Sequence, residues 1–309
     1  SQRLPLYKAA GFGANLEVLQ ASAKSGGYFD NPSVDNDGVF RRVPLVQSYN
    51  NLLYSSLALS TASLALDNPN FELIVESDGK KDGRDYYALE AINLGKFRIP
   101  VDHNGAVYVP YRGKTGSFPY VSAYKVLDKS ADPDVLKNKI VLLGTSAPGL
   151  LDLRSTPVEN IYPGVEVHAN IISGILNQTI KHKPAWSIGY EFVLLILTAV
   201  AMFLVLTYLP PLMAAISSLI ITAIVLAGTF LAWQNSLILP LASPLLLIAL
   251  LFTLHMTYGF FIESRGKRQL AHMFGQYIPP ELVDEMSETA TEFSLEGESR
   301  EMTVLFSDV

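Results

Sequence analysis

The sequence predicts an α/β domain, then an α-helical block of three membrane spans, then a short helical linker. Three observations carry this. Residues 192–262 contain no Asp, Glu, Lys or Arg, a charge-free run of 71 residues. Ahead of that run, short apolar segments of strand character alternate with segments of helical period. Behind it, charges return at once and a Pro-Pro pair divides a polar, acidic tail.

Residues 1–188 are long enough to bury a core of their own. A helix is expected over 52–66. Strands are expected at 71–76 (FELIVE), 97–101 (FRIPV), 106–111 (AVYVPY) and 139–144 (KIVLLG). Asp102-His103-Asn104-Gly105 joins two of these, and Asn-Gly tolerates the positive φ of a tight hairpin turn. KIVLLG is apolar on both faces, the pattern of a central parallel strand. A second helix over 165–176 places Val165, His168, Ile171, Ile172, Ile175 and Leu176 on one face. The chain has no cysteine, so no disulfide supports the fold.

The charge-free run is too long for a soluble domain and suits lipid, where a central charge costs roughly 2.5–3.5 kcal/mol. About 20 helical residues cross a hydrocarbon core. Pro210-Pro211 breaks the run once, and Gln234-Asn235-Ser236 with Pro240 breaks it again. The spans therefore read as 189–209, 212–232 and 241–262. Small residues recur through them, as close helix packing in lipid requires. Glu191 sits at the outer edge; within 192–262 His255 is the only titratable side chain besides tyrosine and reads as structural.

An odd number of spans puts the two flanking regions on opposite sides of the membrane. Arg265, Lys267 and Arg268 directly follow the last span, so the C-terminus is expected inside and residues 1–188 outside the cytoplasm. Export of residues 1–188 needs a signal, yet SQRLPLYKAA has neither a basic n-region nor an apolar h-region. The expectation is that the natural protein has a further N-terminal signal-anchor helix, making four spans with both termini in the cytoplasm. Whether the sheet of residues 1–188 is complete stays open on the same ground.

DNDGVFRRVPLV (35–46), YSSLAL (54–59), FRIPVDHNG (97–105), FPYVSAYKVL (118–127), NKIVLLGTSAPGLLDLRSTP (138–157) and YPGVEVHANIISGIL (162–176) occur in an order and at a spacing that resemble the CHASE-type extracellular sensors, specifically the second of the numbered CHASE classes. The last two segments are the most specific. The resemblance implies a sensor domain outside the cytoplasm and supplies no ligand. Its polar candidates are Arg41, Arg42, Arg112, Asp152, Arg154 and His168. Arg41 and Arg42 form an anion clamp, or one of them caps or pairs with Asp35 or Asp37 while the other is solvated. Asp152 and Arg154 follow the KIVLLG segment, where α/β folds place ligands, or form a local ion pair. His168 on an apolar face reads as a core histidine.

After the last span, residues 263–272 continue its helix. Ile278-Pro279-Pro280 stops it, and Pro280 can open the next helix. FGQYIPPELVDEM (274–286) and GESREMTVLFSDV (297–309) resemble the linker and opening strand of class III nucleotide cyclases. The resemblance implies that Asp308 is the first of two metal-binding carboxylates and that the Val309 backbone carbonyl also touches metal. Two Mg²⁺ or Mn²⁺ ions would activate the attacking ribose hydroxyl and neutralise the leaving pyrophosphate. The other catalytic groups of that family would lie beyond Val309, so no catalytic residue falls within the chain and the chain alone is expected to be inactive.

The domain reading is thus 1–188 sensor, 189–262 membrane helices, 263–300 transducer linker and 301–309 first catalytic strand. The expected parent is a membrane-bound bacterial adenylate cyclase of the inner membrane. It would act on ATP as a homodimer, with membrane lipid and an unknown external ligand as partners and no nucleic acid. The competing readings are a sensor with another output, such as a histidine kinase, and a non-enzymatic membrane-anchored binding protein.

Overall fold

The computed structural model describes residues 4–67, 70–81, 84–146, 149–150, 152–274, 301, 303 and 305–307. In chain order the elements are α1 (Glu17–Ser22), β1 (Arg42–Pro44), β2 (Val46–Tyr49), β3 (Leu52–Ser55), α2 (Leu57–Ala65), β4 (Glu72–Lys81), β5 (Arg84–Leu94), β6 (Phe97–Pro100), β7 (Ala106–Tyr108), α3 (Ala123–Leu127), α4 (Pro133–Leu136), β8 (Leu153–Arg154), β9 (Tyr162–Pro163), α5 (Gly164–Asn177), α6 (Ser187–Tyr208), α7 (Pro211–Gln234) and α8 (Ala242–Phe274). The class is a mixed α/β N-terminal domain followed by three apolar helices, as the sequence predicts. Two compact units result: Ser1–Val193 with Ile224–Leu241, and Leu194–Ala223 with Ala242–Val309.

In the first unit the sheets are small and antiparallel. β4, β5 and β6 form one sheet, while β1 pairs with β7, β2 with β3, and β8 with β9. Leu45, Val46, Leu59, Ile92, Ile99 and Val107 are fully buried, and Tyr162, Ile171 and Ile175 close the core from the α5 side. α5 carries the apolar face expected for 165–176 and packs against α2. Gln178 ends it in the left-handed region at φ 53°, a common helix stop.

Three local expectations are corrected. Residues 139–144 form no strand, and Ile140, Val141 and Leu143 are 44, 60 and 89% exposed. A central parallel strand needs a neighbour on each edge, and among the described residues none pairs with this segment. The Asp102–Gly105 turn forms, with Gly105 at φ +79° and its N–H donating to the Asp102 carbonyl at 2.9 Å. It does not make a hairpin, because β6 pairs with β5 while β7 pairs with β1. The helix expected over 52–66 begins only at Leu57. Ser56 caps it, its hydroxyl accepting from the Leu59 N–H at 3.2 Å, and residues 52–55 pair with β2 instead.

α6, α7 and α8 are each long and apolar enough to cross a membrane. α6 and α7 lie within two residues of the expected spans at each end, and α8 begins within one residue of the third. Only 11–17% of the residues in each span are covered by protein, and Phe192, Leu219 and Leu246 are among the most exposed. Such surfaces are stable only against lipid. The hydroxyls of Ser218, Thr222 and Thr229 each donate to the carbonyl four residues back at 2.8–2.9 Å, which satisfies them without water. α8 runs on to Phe274, past Arg265, Lys267 and Arg268. At about 1.5 Å per residue it is longer than a bilayer core is thick.

The tail of the α/β domain is tied to the turn between α7 and α8. The His182 N–H donates to the Ser236 carbonyl at 3.0 Å, and the Ile238 N–H donates to the His182 carbonyl at 2.8 Å. Next to it the Lys181 ammonium donates to the Trp233 carbonyl at 2.7 Å and sits 4.3 Å from the centre of the Trp233 ring. A strand-like pairing of this kind fixes register as well as distance.

Candidate functional site

The most constructed polar feature of the first unit lies where α5 meets the loop 112–120. Glu166, in the first turn of α5, is only 2% exposed. A buried carboxylate is costly unless hydrogen bonds replace water. Here the Ser117 hydroxyl donates to Oε1 at 2.9 Å, and the Tyr120 hydroxyl and the Gly116 N–H donate to Oε2 at 2.6 and 3.2 Å. The positive end of the α5 dipole adds to this. Burial, and then the bond to Glu166, pushes the Tyr120 phenol well above its usual range.

One turn on, Asn170 is fully buried. Its amide nitrogen donates to the Tyr162 hydroxyl and to the Glu166 carbonyl, both at 2.8 Å, while its oxygen accepts from the Arg112 N–H at 3.0 Å. Tyr162 stacks edge-on against Tyr111 at 5.5 Å. The Thr115 N–H donates to Glu159 at 2.9 Å. The loop is therefore pinned at 112, 115, 116, 117 and 120, and three of its backbone N–H groups are consumed in doing so.

Beside this network is a cleft of about 770 Å³. Ile140, Leu142, Ile172 and Leu176 form its apolar walls, with Arg112 and Glu166 also lining it. Gly144 lets the 140–146 segment come against α5, because a Cβ there would collide with Val165. The Arg112 side chain is exposed. It donates to the Ser173 hydroxyl at 2.6 Å and lies 4.8 Å from the centre of the Phe118 ring. The cleft thus combines a held cation with greasy walls.

Of the site residues expected from sequence, Arg112 lines this cleft, and the others fall elsewhere. Arg41 donates to Asp35 at 2.9 Å and to Asp37 at 2.7 Å, and Arg42 donates to Asp35 at 2.8 Å and to Asp102 at 3.3 Å. Both guanidiniums are engaged by carboxylates, so a bound anion would have to displace them. Arg42 and then Arg41 hold Asp35 below the usual carboxylate range, and Arg41 holds Asp37 at about 2. Asp152 and Arg154 pair at 3.3 Å, and Arg154 lies over the Phe40 ring at 5.4 Å. Gly164 has no Cβ where one would strike the Asp152 carboxylate. His168 is half-buried, and its Nδ1 is buried without a partner. Desolvation lowers its pKa, Asp152 opposes this and Arg154 adds to it. Asp308 and Val309 lie outside the described residues.

Glu166, Asn170 and Tyr120 were not singled out by sequence reasoning. The signal was present as Glu166 and Asn170 at i and i+4 of a helix, on the side that also carries Val167 and Ile171. A polar pair there needs partners from another segment.

The model of the family described as the CHASE2 domain matches residues 5–207, which takes in the whole α/β domain and α6 up to its penultimate residue. Comparison with curated proteins and with solved structures finds no match.

Proposed function

The chain belongs to the CHASE2 domain family, and from that premise we propose that it is the sensing and transmitting part of a membrane-bound class III adenylate cyclase. A CHASE2 domain joined to membrane helices is a membrane signalling sensor. The observation that carries the transmitting role is the tie between 181–182 and 233–238. The α/β domain holds the membrane helices at two points: directly through the 183–186 connection into α6, and through the turn that leads into α8. In this reading a change in the α/β domain is passed on through the 183–186 connection and through the 233–238 turn. Such a linked shift biases an equilibrium between two states of the output.

The tie also bears on topology. It supports a topology in which the α7–α8 turn lies on the same side of the membrane as residues 1–188 and the chain after the third span lies on the other. With Arg265, Lys267 and Arg268 beyond α8, that opposite side is the cytoplasm in this reading, and the α/β domain faces outward. The location is a bacterial inner membrane.

The cyclase output rests on the likeness of 274–286 and 297–309 to class III linkers and opening strands. Among the described residues no group of three or more His, Asp or Glu side chains could hold a metal ion. Asp308 with one backbone carbonyl is too few oxygen ligands for Mg²⁺ or Mn²⁺, so this reading needs further ligands besides these two residues. When bound, the two ions would activate the nucleophile and neutralise pyrophosphate. The part of this chain in that reading is to contribute Asp308 and to bring two copies together as a homodimer acting on ATP.

The test is cyclic AMP formation by the natural protein with its downstream sequence, reconstituted in lipid with ATP and Mg²⁺ or Mn²⁺. Cyclic AMP and pyrophosphate in equal amounts support the reading. Autophosphorylation on histidine without cyclic AMP would replace the cyclase by a kinase output and leave the sensor in place.

A further inference from the structure

We propose that the cleft beside α5 binds a small monocarboxylate with an apolar tail, its carboxylate on Arg112 and its tail against Ile140, Leu142, Ile172 and Leu176. This deepens the sensor reading by naming the class of signal, and it rests on that reading only for its physiological meaning.

The chemistry of Arg112 comes first. Its backbone is fixed by Asn170 and its side chain by Ser173 and the Phe118 ring. A guanidinium carries five N–H donors in one plane, and one hydrogen bond from this side chain is seen. Every other arginine whose side-chain contacts are described in the α/β domain faces a carboxylate: Arg41, Arg42, Arg98 and Arg154 all do. Among the described residues Arg112 faces none. With Phe118 on its face, its edge is left for a planar, two-oxygen acceptor, which a carboxylate matches and a single hydroxyl does not.

Glu166 settles the rest of the ligand's charge. It lines the same cleft, so an amino acid, with its ammonium on Glu166, is the obvious competitor. Both Glu166 oxygens are already taken by Ser117, Gly116 and Tyr120. An ammonium would have to break that network, and a monocarboxylate leaves it intact. The apolar walls call for a tail. A cleft of about 770 Å³ falls within the range that holds small organic ligands, roughly 300–1,000 Å³, and is too large for acetate alone. The loop that carries Arg112 is pinned in advance, so little ordering is required when the ligand arrives.

The experiment uses the full chain in lipid nanodiscs, with empty nanodiscs subtracted, and titrates octanoate by calorimetry. The comparison probes are octan-1-ol, acetate, inorganic phosphate and leucine. Saturable octanoate binding at one per chain is expected. Octan-1-ol, acetate, phosphate and leucine are each expected to bind at least about tenfold more weakly, the loss of one charge-assisted contact or of the tail. Arg112→Ala and Arg112→Gln are expected to weaken octanoate by about tenfold or more with an unchanged melting profile, since the side chain is exposed. Ile140→Gln, also at an exposed position, is expected to weaken octanoate and leave the thermal transition in place. Equal binding of octanoate and octan-1-ol, or octanoate binding unmoved in both Arg112 variants, overturns the proposal. So does tighter binding of leucine or phosphate, and so does absence of octanoate binding by a folded chain. Because no cyclic AMP is measured, any of these results leaves the cyclase reading where it stood, and a failed cyclase assay leaves this one.

Discussion

Replacing Glu166 by Ala tests whether the buried carboxylate is what organises the candidate site. The side chain is 2% exposed and accepts three hydrogen bonds, at 2.6, 2.9 and 3.2 Å. A hydrogen bond to a charged group contributes roughly 1.5–3 kcal/mol, so three set a ceiling well above 4 kcal/mol. Tyr120 and Gly116 are exposed, and water can take over their donors once the carboxylate is gone. Ser117 is half-buried and is not fully rescued. A net loss of roughly 2–4 kcal/mol in the local stability of 115–120 follows, which is thirty-fold to several-hundred-fold in amide exchange. The assay is hydrogen exchange by mass spectrometry on the full chain in nanodiscs, with β4–β6 as the internal reference. Glu166→Gln keeps the shape but turns an amide N–H toward donors, and should fall between wild type and Glu166→Ala. If protection over 115–120 is the same in all three proteins, Glu166 does not hold the loop and the site loses its physical basis.

Ile172 is 4% exposed, and Ile172→Ala should lower the unfolding free energy of the α/β domain by roughly 2–4 kcal/mol in denaturant titrations; a change under about 0.5 kcal/mol would mean that α5 is not seated as described. Burial lowers the pKa of His168 in the folded state, so the unfolded chain binds more protons below about pH 6.5 and stability falls as the pH drops from there. His168→Leu should flatten that slope in melting curves recorded between pH 7.5 and 5, and an unchanged slope would assign it to other groups. The chain has no cysteine, so a His182→Cys, Leu237→Cys pair should form one intramolecular disulfide on mild oxidation, read as a gel shift after proteolysis between the two positions. Failure to form it while a control pair on β5 and β6 does form would refute the tie between the domain and the α7–α8 turn.

Some of this was legible in the sequence and some was not, for identifiable reasons. The spans were legible because lipid imposes one rule on every residue of a long segment, and 71 residues without a charge leave little choice. α5 was legible because Ile171, Ile172 and Ile175 repeat at helical spacing. Residues 139–144 misled because an apolar run states what a segment prefers and not whether a neighbour is there to pair with it. The Asp102–Gly105 turn misled in a similar way: local chemistry fixed the turn, while the pairing of β6 with β5 and β7 with β1 is decided by distant residues. For Arg41 and Arg42 the local alternative expected one of them paired with Asp35 or Asp37 and the other solvated; that pairing was legible because the residues are close in sequence, but both guanidiniums are in fact engaged. Asp102, which completes that cluster from 60 residues away, was invisible. Glu166 and the loop it holds are 46–50 residues apart, so only the fold brings that site together.

The most direct measurement of the central claim is cyclic AMP production by the purified natural protein, wild type against Asp308→Asn, with ATP and Mg²⁺ or Mn²⁺. Asparagine keeps the shape of the side chain and removes one negative oxygen from a hard metal ligand. The expected result is a loss of turnover by orders of magnitude with dimerisation and thermal stability unchanged, because nucleophile activation and leaving-group neutralisation both depend on the ions. Equal rates for the two proteins would show that Asp308 is no metal ligand, and absence of cyclic AMP from the wild type would remove the cyclase from the output of this sensor.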